Sequence, residues 1–170
     1  MMSKRKVRNG MIAAAAVAVV VLGGLWIVRA TARYPVLDAP VLYRIDPVQG
    51  FQMEIEEVRW SLKKGYCVKY RVAIDSEEVY TLVDTEEKTY KYLERLVDGQ
   101  WYRLVCDEIR SPFDNSYKIG GPGNTGYEEG LYQKYDGYGT RLEPGSYRIV
   151  LELTDREGDI HYLADGFEVK

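Results

Sequence analysis

From residue 51 onward, apolar and polar side chains alternate along the chain, and this alternation constrains the fold more than any other feature. In the segment GYCVKYRVAI, residues 65–74, one face carries Lys69 and Arg71. The opposite face is apolar and holds Tyr66, Val68, Tyr70, Val72 and Ile74. A period of two with one apolar face predicts a strand that is buried on one side. Residues 51–60 repeat the pattern with a slip between Ile55 and Val58, which predicts a β-bulge.

Turn signals separate these apolar runs at regular intervals. Asp98-Gly99 lies between two apolar runs and predicts a hairpin, because both central residues of such a turn need a positive φ. Pro144-Gly145 predicts a tight turn before the alternating residues 147–153, and residues 156–159 predict the next turn. The sequence therefore predicts seven or eight strands, no helix in the exported part, and an all-β antiparallel sandwich.

An uncharged apolar run at residues 11–28 predicts a membrane-spanning helix. Eighteen residues in a helix extend about 27 Å, close to the thickness of the hydrocarbon core. Four basic residues precede the run, so the N-terminus is expected in the cytoplasm, with the rest of this single-pass protein outside the cell membrane. Ala30-Thr31-Ala32 also fits a signal-peptidase site, so secretion after cleavage near Ala32 is the alternative.

The composition divides the chain into four parts. Residues 1–10 form a basic cytoplasmic head, 11–28 the anchor or signal segment, 29–48 an extended linker with three prolines, and 49–170 the sandwich. From Arg33 onward the chain has 18 basic and 26 acidic side chains, a net charge of −8. Such an acidic domain repels phosphate backbones, so no nucleic-acid partner is expected.

Three short motifs are the hairpin VDGQWYRL, the turn and strand LEPGSYRIVLEL, and the terminal YLADGFEV. They resemble motifs of bacterial immunoglobulin-like domains found in exported and membrane-anchored envelope proteins of Gram-positive bacteria. The resemblance covers about residues 48–170, although residues 164–169 carry one residue more than the Ala-x-Phe-Glu-Ile ending of that family. It implies an Ig-like sandwich at the cell envelope and brings no catalytic residues.

The residues do not predict a catalytic centre, a metal site or a cofactor. The run GGPGNTG lacks the Gly-Lys-Ser/Thr that a phosphate-binding loop requires. His161 is the only histidine, and a zinc site needs three or four ligands. Carboxylates cluster at residues 54–57, 84–87 and 128–129, which is typical of solvated charge. Calcium at one of these clusters, and an envelope enzyme that uses paired carboxylates on glycan or peptide, remain alternatives.

Cys67 and Cys106 lie in two different predicted strands of an exported domain, which permits one disulfide. The alternation places Cys67 on the polar face with Lys69 and Arg71, which disfavours a bridge through the core. One disulfide and two thiols both remain open at this stage.

The Gly-rich segment 111–138 predicts a long loop with at most one short strand, around Tyr117 to Ile119, and a further strand with Tyr132 at its centre. Tyrosine is unusually frequent in the chain, with 15 Tyr against 3 Phe, and several lie in or beside this segment. Tyrosine builds polar contact surfaces at low entropic cost, and long loops are often functional. The predicted interaction surface consists of Tyr117, Tyr127, Tyr132 and Tyr135, with packing of these rings on the sandwich as the alternative.

These observations predict a membrane-tethered, extracytoplasmic module without catalytic activity that binds or assembles at the envelope. Its partners are the membrane, through residues 11–28, and an unknown protein or glycan ligand. An accessory subunit of a membrane complex is a further alternative, in which the anchor pairs with another membrane protein.

Overall fold

The computed structural model describes residues 21, 33–84, 89–106, 115–133 and 136–170. From residue 33 onward the described chain forms ten β-strands and no helix, which confirms the predicted all-β class. The strands are β1 Leu37–Pro40, β2 Phe51–Ser61, β3 Gly65–Ile74, β4 Val79–Asp84, β5 Lys91–Val97, β6 Gln100–Leu104, β7 Asn115–Gly120, β8 Gly126–Tyr132, β9 Gly145–Thr154 and β10 Ile160–Val169.

The strands form two antiparallel sheets that share one hydrophobic core. In the larger sheet, β9 pairs with β10 along its whole length, with β5 at residues 147–151, and with β4 at Thr154. Strands β6 and β1 extend this sheet beyond β5, and β7 extends it beyond β4. The smaller sheet has the order β2-β3-β8. This is a β-sandwich-like arrangement, as the alternation predicts.

The apolar face of β3 lies in this core. Val68, Tyr70 and Val72 are fully buried, whereas Lys69 and Arg71 are exposed. The register between β2 and β3 shifts between Ile55 and Glu57, which confirms the predicted bulge. The extra residue keeps apolar side chains on the inner face of β2 on both sides of the shift.

The predicted hairpin between β5 and β6 is also confirmed. Asp98 has φ 50° and Gly99 has φ 82°, and Val97 pairs with Gln100 across the turn. Both central residues take the left-handed conformation that this two-residue turn requires.

The predicted head at residues 1–10, the anchor at 11–28 and the cleavage site near Ala32 lie outside the described residues, except for Val21. No helix among the described residues is long and apolar enough to cross a membrane. The compact unit begins at Tyr34, so most of the predicted linker 29–48 belongs to it. Residues 37–40 form β1, which pairs with β6.

The prediction of one long loop at residues 111–138 is wrong. This segment contains β7, which covers the short strand expected near Tyr117, and β8, which ends at Tyr132 instead of centring on it. Only residues 121–125 connect the two strands. Gly121, Gly123 and Gly126 have positive φ values here, so the glycines serve a tight connection between two strands instead of a long loop.

Candidate functional site

The four tyrosines of the predicted interaction surface do not form one surface. Tyr117 lies on β7 and is 50% exposed. Tyr127 lies near the start of β8 and packs against the core, as the alternative interpretation expects for this ring. Tyr132 is the last residue of β8, and Lys64 Nζ lies 4.5 Å from the centroid of its ring. Tyr135 lies outside the described residues. Tyr117 and Tyr127 nevertheless border one group of polar side chains.

This group surrounds the carboxylate of Glu129 on β8. Tyr70 on β3 donates a hydrogen bond to Oε2 at 2.6 Å, and Lys91 on β5 donates to Oε1 at 2.8 Å. The Tyr90 hydroxyl lies 3.3 Å from both carboxylate oxygens. We call Tyr70, Tyr90, Lys91 and Glu129 the Glu129 cluster. Its members join the two sheets, because β3 and β8 belong to the smaller sheet and β5 to the larger.

The Glu129 cluster lies at two edge strands, β8, which carries Glu129, and β7. Strand β7 ends the larger sheet and β8 ends the smaller one. Tyr117 on β7 packs edge-on against Tyr90, with ring centroids 6.3 Å apart. The exposed ring of Tyr117 on the edge strand β7 therefore packs against Tyr90, whose hydroxyl bonds to Glu129.

The phenols of the cluster are held in their neutral form. Burial raises the pKa of the Tyr70 and Tyr90 hydroxyls well above the ordinary value of 10, and the negative charge of Glu129 raises it further. Burial also raises the pKa of Tyr127, again with a contribution from Glu129. The three hydroxyls remain hydrogen-bond donors, which suits structural support and does not suit proton abstraction.

Two buried polar atoms near the cluster have no hydrogen-bond partner within the described part of the chain. They are the Tyr127 hydroxyl and Oδ1 of Asp84. The charge of Asp84 contributes to the raised pKa of Tyr90, so Asp84 lies within electrostatic range of the cluster. Within the described residues, the Tyr127 hydroxyl and Asp84 Oδ1 thus have unused hydrogen-bonding capacity.

A second polar group covers the outer face of the larger sheet. Glu94 on β5 is completely buried there and accepts hydrogen bonds from Arg148 on β9, Nε at 2.8 Å and Nη2 at 2.7 Å. Tyr43 also donates to Glu94, and its ring stacks on Tyr162 with a centroid distance of 3.7 Å. The alternation places Glu94 and Arg148 on the outer face, but no local signal indicates that Tyr43 covers them.

Several carboxylates of the predicted clusters form ion pairs. Glu56 and Glu128 both contact Arg71, at 3.0 and 2.7 Å, and Glu57 contacts Arg59 at 2.9 Å. Residues 86 and 87 lie outside the described part of the chain. Among the described residues, no group of three or more His, Cys, Asp or Glu side chains could hold a metal ion.

His161 lies on β10 and bonds to Asp155 in the preceding turn at 2.7 Å. Its ring also packs edge-on against Tyr80, with ring centroids 5.5 Å apart. The hydrogen bond to His161 lowers the pKa of Asp155. These contacts tie β10 to the turn before it.

Cys67 and Cys106 are not joined in a disulfide, so of the two alternatives the structure has thiols. Cys67 pairs with Tyr132 on β8, and the Cys106 thiol donates to the carbonyl of Asp136 at 3.0 Å. Each cysteine contacts the C-terminal end of β8 or the segment that follows it.

Comparison with known proteins finds no family model that matches the chain and no curated protein that is significantly similar to it. The function must therefore be argued from the geometry of these residues.

Proposed function

We propose that this protein is a membrane-tethered, extracytoplasmic Ig-like module without catalytic activity that binds a protein or glycan at the cell envelope. The observation that carries the proposal is the half-exposed ring of Tyr117 on the edge strand β7, supported from behind by Tyr90. Strand β7 pairs only with β4 among the described strands, so its other side can accept an extended segment of a partner.

The surface around Tyr117 suits contact better than chemistry. Ser116, Tyr117 and Lys118 are all exposed on β7. The partly buried carboxylate of Glu129 is already bonded to two phenols and one ammonium group. A glycosidase needs two opposed carboxylates that can exchange protons with a substrate, and this arrangement engages the carboxylate in internal bonds instead.

Charge gives less guidance about the partner than the sequence suggests. Glu128 and Glu129 favour a basic or hydroxyl-rich partner when only the sequence is considered. In the structure, Glu128 is paired with Arg71 and Glu129 with Lys91. The partner is therefore better defined by shape, as an extended peptide or a sugar ring that packs on the Tyr117 ring.

A photo-cross-linking amino acid at position 118 tests the proposal in intact cells. We expect a specific captured product at position 118 and none with the same group at Arg156, which is also exposed but lies in the turn before β10. Adding Tyr117→Ser should remove the product and change the melting temperature by no more than a few degrees, because the ring is half exposed.

Tyr127→Phe is the matched control, because it removes only a hydroxyl from a ring that packs against the core. Capture should persist in this variant. If capture survives Tyr117→Ser, or if position 156 captures the same product, the β7 surface is not the binding surface.

A further inference from the structure

The turn between β2 and β3 carries exposed apolar side chains that continue the inner face of the sandwich. Val58 pairs with Val68 and Trp60 with Tyr66, so Val58 and Trp60 lie in the inward-facing row. Val68 is fully buried, yet Trp60 is 56% exposed and Leu62, in the turn, is 75% exposed. The hairpin therefore extends past the part of its apolar face that is covered. We call residues 58–66 the hairpin tip.

The part of the hairpin that follows Glu57 is basic, although the domain as a whole is acidic. Residues 58–74 contain five basic side chains and no acidic one, whereas the chain from Arg33 onward has a net charge of −8. Arg59 is neutralised by Glu57 at 2.9 Å. Lys63 and Lys64 are exposed in the turn, with Lys64 above the ring of Tyr132. Two lysines thus directly follow Leu62, and the exposed indole of Trp60 lies two residues before it.

A series of contacts links the start of β1, the first strand of the domain, to the hairpin. Strand β1 pairs with the end of β6 that precedes Cys106. The Cys106 thiol bonds to the carbonyl of Asp136 at 3.0 Å, and the Asp136 carboxylate accepts a hydrogen bond from Tyr132 N at 2.6 Å. Tyr132 pairs with Cys67 in the hairpin.

We propose that the hairpin tip docks on the headgroups of an anionic lipid bilayer, with Trp60 and Leu62 at the interface and Lys63 and Lys64 on the phosphates. Indole rings favour the membrane interface, and lysines extend their charge towards it while their methylene stems remain in apolar surroundings. Anionic lipids attract basic residues, each of which favours the docked state roughly fivefold. The proposal rests on the membrane tether proposed above, which would place the domain within reach of the bilayer.

The test uses the full-length chain with Trp26→Phe and Trp101→Phe, so that Trp60 is the only indole. The protein is reconstituted in vesicles of phosphatidylcholine, with or without phosphatidylglycerol, that contain acyl-chain-brominated lipid. Flotation with the zwitterionic vesicles measures whether the tether binds the membrane. Quenching of Trp60 by bromine measures whether the hairpin tip contacts the lipid. We expect flotation with both vesicles and quenching that is much stronger in the anionic ones.

Lys63→Gln with Lys64→Gln should reduce the quenching in anionic vesicles to the level of the zwitterionic vesicles. Lys118→Gln with Arg156→Gln removes the same charge elsewhere on the exposed surface and should leave quenching unchanged. Because these four side chains are exposed, melting curves of the variants should coincide.

Three results would overturn the proposal. The first is that Trp60 is not quenched in anionic vesicles, and the second is that its quenching does not depend on Lys63 and Lys64. The third is that Trp60 becomes shielded from solvent only as protein concentration rises, which would mean that a second copy covers the hairpin tip. Failure to float with zwitterionic vesicles contradicts the tether alone, and quenching in anionic vesicles then still decides whether the tip docks.

Discussion

At the scale of single residues, the least expected feature is a glutamate with no exposed surface on the outer face of a sheet. Glu94 is held by the guanidinium of Arg148 and by the Tyr43 hydroxyl. Removing one partner of a buried ion pair is costly, since the remaining charge is left without compensation. An ion pair at the surface contributes little, because water and salt screen it.

Glu94→Gln should therefore lower the free energy of unfolding by about 3 kcal/mol or more. The matched control is Glu128→Gln, which removes the charge that faces Arg71 in an exposed pair and should cost less than about 1 kcal/mol. Urea denaturation of the two variants measures the difference. Equal losses would mean that Arg148 finds another partner or water when Glu94 is neutral.

Tyrosine burial predicts a loss of stability in alkaline solution. Burial raises the pKa of Tyr92 and Tyr147 to about 12, and that of Tyr70 further. Between about pH 10 and 12 the unfolded chain releases phenolic protons that the folded chain retains, so the unfolded state binds fewer protons. The free energy of unfolding must then fall as pH rises above about 10, and it is unaffected by these groups below that pH.

Tyr70→Phe should make this alkaline loss shallower, because it removes the phenol whose pKa is raised most. At neutral pH the variant should be less stable by about 2 kcal/mol, since Glu129 loses a hydrogen bond from a buried hydroxyl. Denaturation curves at pH 8 and pH 11 measure both effects. An unchanged pH dependence would show that Tyr70 is not a major contributor to it.

At the scale of elements, two glycines with positive φ allow the cost of backbone strain to be compared with the cost of a steric clash. A Cβ on Gly99, in the β5–β6 turn, would meet no atom within 4 Å. A Cβ on Gly126, at the start of β8, would lie 2.0 Å from the carbonyl oxygen of Val72 on β3. Backbone atoms in a paired strand cannot move aside without breaking the pairing.

Gly99→Ala should therefore cost only the backbone strain, about 1 kcal/mol. Gly126→Ala should cost at least about 3 kcal/mol, because a clash is added to the strain. Thermal denaturation compares the stability of the two variants, each of which carries one Gly→Ala substitution. Similar losses would mean that β8 can separate from β3 without consequence for the sandwich.

The sequence predicts best those elements whose signal is local. Strand β3 alternates over its full length, and the β5–β6 turn is specified by Asp98-Gly99. Glycines interrupt β7 and β8, so the sequence predicts a long loop with only a short strand near Tyr117 and a further strand centred on Tyr132. Pairing with β4 and β3 stabilises both strands at greater length. The burial of Glu94 depends on Tyr43, which is 51 residues away in sequence, and no local pattern contains that contact.

The sequence likewise predicts only part of the candidate site. The abundance of tyrosine near residues 117–135 predicts a contact region there, but the sequence does not assign the separate roles of these side chains. Tyr117 is half exposed on β7 of the larger sheet, whereas Tyr127 on β8 of the smaller sheet packs against the core. Tyr70, Tyr90 and Lys91 belong to distant segments and meet at Glu129 only through the pairing of the two sheets.

At the scale of the whole domain, the two sheets are expected to unfold together, because neither buries its apolar face alone. The shared core draws Val68 and Val72 from the smaller sheet and Ile149 and Leu151 from the larger. Contacts with the Glu129 cluster add polar links across the same interface. A domain with one contiguous core usually opens as a single cooperative unit.

Val72→Ala tests this cooperativity, since it removes two methyl groups from a fully buried position on β3. We expect a loss of about 2 kcal/mol in global stability, and the same loss in the opening free energy of amides on β9, in the opposite sheet. Hydrogen exchange followed by mass spectrometry of the full-length chain measures peptides that cover residues 65–74 and 147–153. Val36→Ala, at an exposed position, is the control and should change neither peptide. Faster exchange in β3 with unchanged protection in β9 would show that the smaller sheet opens independently of the larger one.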